Sequence, residues 1–139
     1  MNNDASLESI RGRFNEIGWH DSKLVTLAIV PAEASGDADI LMDVILSEWD
    51  KGHNRAARVV LRDCTILKID FDIASKRACS DDISYARCEI DSPLKSTIAR
   101  EQLGAERNPL AQYLHFTFVL CPPSGEMHAF ARTFDIAFG

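Results

Sequence analysis

The sequence lacks the signatures by which enzymes and cofactor proteins are most readily read. It has no G-x-S-x-G nucleophile turn, no phosphate-cradling glycine loop and no dinucleotide fingerprint, and its seven glycines are spread singly as turn formers. The histidines His20, His53, His115 and His128 show neither H-x-x-x-H nor H-E-x-x-H spacing, so neither a metal site nor a cofactor is expected. None of the cysteines, Cys64, Cys79, Cys88 and Cys121, forms a C-x-x-C pair. With no basic-then-apolar leader after Met1-Asn2-Asn3-Asp4, they read as reduced thiols of a cytoplasmic protein. No apolar run approaches the roughly 18 residues that a membrane-spanning helix needs. Excess positive charge is also missing: the formal net charge is −6, which disfavours nucleic acid and anionic membranes and suits a basic protein partner.

What is present is ordinary globular composition, 46% hydrophobic and 26% charged over 139 residues, the size of one domain spanning 1–139. A chain of this length buries roughly 68–70% of its unfolded surface, so a core forms without staples. There is no internal repeat and no low-complexity segment.

Residues 4–17 read as an amphipathic helix: Leu7, Ile10, Phe14 and Ile17 recur at helical spacing, Asp4 or Ser6 caps the start, and Gly18 ends it in the left-handed conformation. Strands follow at 22–30 and 38–49, separated by a turn at 33–37; the turn at 50–54 makes the second strand and the next a hairpin. In the second strand Ile40, Met42, Val44 and Leu46 share a face, and Leu41 and Ile45 on the other, with Trp49, offer a candidate apolar contact patch. The stretch 56–73 is too long for one strand. Asp63 interrupts its apolar parity, which predicts a bend or bulge at Arg62-Asp63-Cys64. A weaker strand at 83–91 leads to a second helix with Ser92 as N-cap and Pro93 at its first position, its buried side lined by Leu94, Ile98 and Leu103, and Gly104 closing it. The chain ends in an antiparallel hairpin: Leu114, Phe116, Phe118 and Leu120, then a turn at 122–125, then Phe130, Phe134, Ile136 and Phe138. These patterns give an α+β fold: a mainly antiparallel β-sheet, a sandwich or strongly curved, with an N-terminal helix and a second short helix.

Three places carry polar residues worth weighing. Trp19-His20-Asp21-Ser22 sits between the first helix and the first strand. If the backbone there is extended, His20 and Asp21 point to opposite faces while His20 and Ser22 share one, about 6.6–7 Å apart, which is no ready-made triad. The structural reading has Asp21 fixing the junction as an Asx-turn, Trp19 sealing the helix end and His20 donating to a backbone carbonyl. Asp63 and Arg132 each fall on the parity of an apolar face, so Arg132 pairs with Asp63 or Asp21, or a bulge turns them to water. An enzyme would use His20 with an acid such as Asp63.

Trp19-His20-Asp21-Ser22-Lys23-Leu24, together with Val60-Leu61-Arg62-Asp63-Cys64 and the closing Phe134-Asp135-Ile136-Ala137-Phe138, resembles the small bacterial proteins grouped as Immunity protein 50 and their uncharacterised relatives. The resemblance implies a sheet-rich bacterial cytoplasmic protein that binds and neutralises a toxin; it carries over no catalytic residues. The expected function is thus a non-enzymatic protein-binding domain with a basic protein partner, a toxin under the resemblance. The alternatives are the small enzyme just described and a homodimeric structural domain paired through a sheet edge.

Overall fold

A computed structural model describes residues 3–32, 37–48, 53–71, 82–102, 110–120 and 125–139. Its elements are α1 (Asn3–Asn15), β1 (Ser22–Pro31), β2 (Ala38–Glu48), β3 (His53–Cys64), β4 (Ile66–Phe71), β5 (Asp82–Glu89), α2 (Pro93–Gln102), β6 (Leu114–Leu120), β7 (Gly125–Ala131) and β8 (Thr133–Phe138). The expected α+β class is what forms: among the described residues, eight strands in one sheet, ordered β4-β7-β6-β5-β1-β2-β3-β8 with every pairing antiparallel, plus two helices. Among the described residues no helix is long and apolar enough to cross a membrane.

The sheet is strongly curved. Four strands separate β6 from β8 in the order, so a flat sheet would hold them roughly 24 Å apart at the usual strand spacing. The rings of Phe116 on β6 and Phe134 on β8 nonetheless lie 6.2 Å apart. Phe14 of α1 fills the hollow and touches both, at 5.0 and 5.1 Å, as well as Phe118 at 5.7 Å and Trp19 at 4.9 Å. The expected face of β2 (Ile40, Met42, Val44, Leu46) joins this core.

The predicted bend at Arg62-Asp63-Cys64 is the corner that curls the sheet. Asp63 takes the left-handed backbone, φ 54°, a conformation that a short polar residue tolerates better than most. Its N–H donates to Asp39 Oδ1 at 3.0 Å, while Arg62 bridges Asp39 at 3.1 Å and Asp135 at 2.7 Å. Val59 and Leu61 before the corner and Leu67 after it keep one parity and face the main core, and Cys64, of the other parity, joins them from within the corner. The opposite chain turns at the same place. Arg132 N–H donates to the Arg62 carbonyl and Thr65 N–H to the Phe130 carbonyl, so the ladder runs through the corner from β3–β8 to β4–β7.

Two expectations are corrected here. Gly18 does not take the left-handed conformation; α1 ends at Asn15, and the Phe14 carbonyl accepts both the Ile17 N–H and the Trp19 indole N–H. The last strand is not one run: it breaks at Arg132, so Phe130 and Phe134, which share a parity, lie in different clusters. The second cluster is built by α2, which packs Ile98 and Leu94 against Phe130, Tyr113 and Leu110. Its start is as expected: the Ser92 hydroxyl accepts the Lys95 N–H at 3.1 Å, and Pro93 opens the helix. Leu103, Gly104 and Trp49 lie outside the described residues, as do residues 33–36, 50–52 and 122–124 of the turns expected at 33–37, 50–54 and 122–125.

Candidate functional site

The Trp19-His20-Asp21-Ser22 stretch is a structural joint. Trp19 is buried against Phe14 and Phe118. Asp21 has φ 65°, so the backbone is not extended and the side-chain alternation expected from a strand does not apply. The Asp21 N–H donates to the Ile83 carbonyl, which ties the joint to β5. Ser22 is fully buried; its hydroxyl donates to the Gly18 carbonyl and accepts the Ser47 N–H, which ties the joint to the end of β2. His20 is exposed, its Nδ1–H donating to the Ser84 carbonyl at 2.9 Å and its Nε2 standing 3.6 Å from Asp21 Oδ1.

The structure does not bring His20 and Asp63 together. Ser22 binds β2 at Ser47, and Asp63 binds β2 at Asp39. Those eight residues of strand span roughly 26 Å. Nor is Arg132 a buried charge in need of an ion pair. It is exposed at the corner, with its guanidinium 4.7 Å from the centre of the Tyr113 ring, so the bulge turns it to water. Asp21 is at the far end of β2 from it, and Asp63 is half-buried.

A polar cluster that the histidine spacing concealed lies on the face covered by α2. In the β6–β7 hairpin His115 is opposite Phe130 and Thr117 is opposite His128, so all four share that face. His115 is only 3% exposed and stacks on Phe130, ring centres 4.6 Å apart. Four side chains link in a line. Ser92 Oγ lies 2.7 Å from His115 Nδ1, His115 Nε2 lies 2.8 Å from His128 Nδ1, and His128 Nε2 lies 3.0 Å from Glu126 Oε1. Thr117 Oγ1 flanks the middle link at 3.1 and 3.4 Å. Burial, followed by the neighbouring His128, Arg87 and Lys95, pushes the His115 pKa down to about 4, so its ring is neutral near pH 7. The buried Lys95 ammonium donates to the Ile90 carbonyl at 2.6 Å, and burial lowers its pKa too. Hairpin arithmetic was the available signal: with the turn at 122–125, residues whose numbers sum to 245 are paired, which puts His115, Thr117 and His128 side by side.

The outer end of the line opens on a groove of about 290 Å³ lined by Lys68, Ile69, Asp70, Leu94, Glu126 and His128. The inner end is closed. Ser92 is buried, and its oxygen is held as the helix cap. All four ring nitrogens of the two histidines are hydrogen-bonded within the line, so none stands unengaged at the groove. Among the described residues no three His, Cys, Asp or Glu side chains are grouped to hold a metal ion. Cys64 and Cys88 are buried free thiols whose pKa values burial pushes up to about 11 and about 12, which keeps them protonated and unreactive.

The second surface feature is a run of exposed apolar residues along β1. A bulge between Leu24 and Thr26 turns Val25 to solvent, where it is 57% exposed; Ile29 is 60% exposed and Val30 is exposed as well. Val25, Ile45, Ala56 and Phe138 line a shallow groove of about 520 Å³, with the Asp43–Arg58 pair at its side. Arg58 and Thr26 hold the Asp43 carboxyl below the usual range. Ile45 comes from the patch expected in the second strand. Comparison of the chain with family profiles, with curated proteins and with solved structures returned no match.

Proposed function

We propose that this chain is a non-enzymatic protein-binding domain of the bacterial cytoplasm with a basic protein as its partner, and that the partner is a toxin it neutralises, as the resemblance to Immunity protein 50 implies. The observation that carries the reading is the run of exposed apolar residues along β1. Val25, Ile29 and Val30 are exposed there, and Val25 continues into the groove with Phe138. Beyond Lys23, no strand among the described residues pairs with the second edge of β1. An unpaired strand edge beside exposed apolar side chains suits the addition of a partner's segment. The net charge of −6 would speed encounter with a basic partner. The closed Ser92 end of the histidine line and the separation of His20 from Asp63 weigh towards binding over catalysis.

The test is capture from the source cell on beads carrying wild type or Val25→Asp/Phe138→Ser. A basic protein held by wild type at low salt, released at high salt and absent from the variant supports the reading. Identical captures on both beads contradict it. A wild type that sediments as a dimer, while the variant is a monomer, replaces the foreign partner by a second copy of this chain.

A further inference from the structure

We propose that Glu126, His128, His115 and Ser92 form a one-proton switch, in which protonation at the groove reverses the direction of the whole hydrogen-bond line up to the N-cap of α2. The argument is one of donors and acceptors. An ionised Glu126 only accepts, so His128 Nε2 carries a hydrogen. With both rings neutral, His128 Nδ1 is then an acceptor, so His115 Nε2 carries the hydrogen between the rings and His115 Nδ1 accepts from the Ser92 hydroxyl. Every link is satisfied in that one direction.

A second state holds one proton more, taken from water. Water at the groove supplies the proton that His128 gains on Nδ1 when the line opens locally, and His115 returns its Nε2 hydrogen to water and takes one on Nδ1, so that one proton is added in all. His128 becomes an imidazolium beside Glu126, and His115 stays neutral with its hydrogen on Nδ1, donating to Ser92 Oγ. Ser92 then accepts from both His115 and the Lys95 N–H, and its own hydroxyl hydrogen turns off the line. A further proton has no place, because both facing nitrogens would be donors 2.8 Å apart.

The surrounding charges place the added proton on His128. Arg87 of β5 and Lys95 of α2 oppose a cation at His115, which burial also disfavours, and Glu89 of β5 stands 3.9 Å from His115 Nδ1 already paired with Arg87. His128 has Glu126 on β7 at 3.0 Å, faces Thr117 of β6, lies opposite Lys68 of β4 and shares its groove with Asp70. Water reaches His128, whose side chain is 19% exposed, but scarcely reaches His115.

Nitrogen-15 NMR of the imidazoles in the full chain, from pH 8 down to pH 5, tests the switch. The expected result is that His128 becomes doubly protonated while His115 stays neutral and changes from the Nε2–H to the Nδ1–H tautomer in the same step. A His115 tautomer that stays fixed as His128 ionises, or a His115 that ionises with it, overturns the proposal. Glu126→Gln alters an exposed side chain and removes the counter-charge, so the tautomer change should move to lower pH. An unmoved change would also overturn it.

Discussion

Asn15 treats Cys88 as a neighbouring strand would. At the last residue of α1, its Nδ2–H donates to the Cys88 carbonyl at 3.0 Å and its Oδ1 accepts the Cys88 N–H at 2.8 Å. β6 pairs with Cys88 on one side, whereas β1 pairs with β5 only at Ser22 and Lys23, so on the other side a helix residue completes the ladder. Asn15→Ala leaves both backbone groups of Cys88 unmatched and should cost about 1–3 kcal/mol. Urea denaturation checks this, with a lowered midpoint and an unchanged slope expected.

Phe14 is where the aromatic core converges, with four rings within 5.7 Å. Phe14→Ala should cost about 3–5 kcal/mol, because the cavity lies between a helix and a curved sheet that cannot collapse onto it. Phe14→Leu, which keeps most of the volume, should cost distinctly less in the same denaturation series.

Gly125 has φ 122°, and a Cβ built there would stand 1.9 Å from the Asp70 carbonyl oxygen. β7 begins against the end of β4 only because that side chain is missing. Gly125→Ala should therefore lose about 1–3 kcal/mol, and it should loosen the β4–β7 pairing. Hydrogen exchange at the β4 amides checks that the loss is local. Uniform acceleration across the sheet would contradict it.

The fold also carries a pH dependence. His115 has a folded pKa of about 4 against 6.5 when free, so between those values the unfolded chain binds more protons. The stability is fully present above about pH 6.5 and is lost as pH falls towards 4. At about 1.4 kcal/mol per unit, the loss amounts to about 3 kcal/mol. His115→Asn should flatten that part of the stability profile, as measured by urea melts at each pH.

Much of this architecture is legible in the residues. Leu114, Phe116, Phe118 and Leu120 mark a core strand, Asp63 marks the corner, and Ser92-Pro93 marks the start of α2. Legibility fails where a neighbour distant in sequence decides the outcome. β6 is buried on both faces because α2 covers the second, so His115 and Thr117, polar by pattern, become interior. Gly18 was the natural helix stop, but the Trp19 indole N–H already binds the Phe14 carbonyl. Arg132 breaks the last strand because the facing chain turns at Asp63, a pairing across some 70 residues that no local pattern encodes. The histidine line needs register, rotamer and α2 together, and only the register can be computed from the hairpin.

The most direct test of the binding reading is hydrogen exchange of the chain alone and in complex with the captured basic protein. Slowed exchange at the backbone amides of residues 24–30, on the edge of β1 that has no described partner strand beyond Lys23, is the predicted result. Protection that leaves β1 untouched and falls on β4 and α2 around His128 would contradict it and move the contact surface to the β4 end of the sheet order.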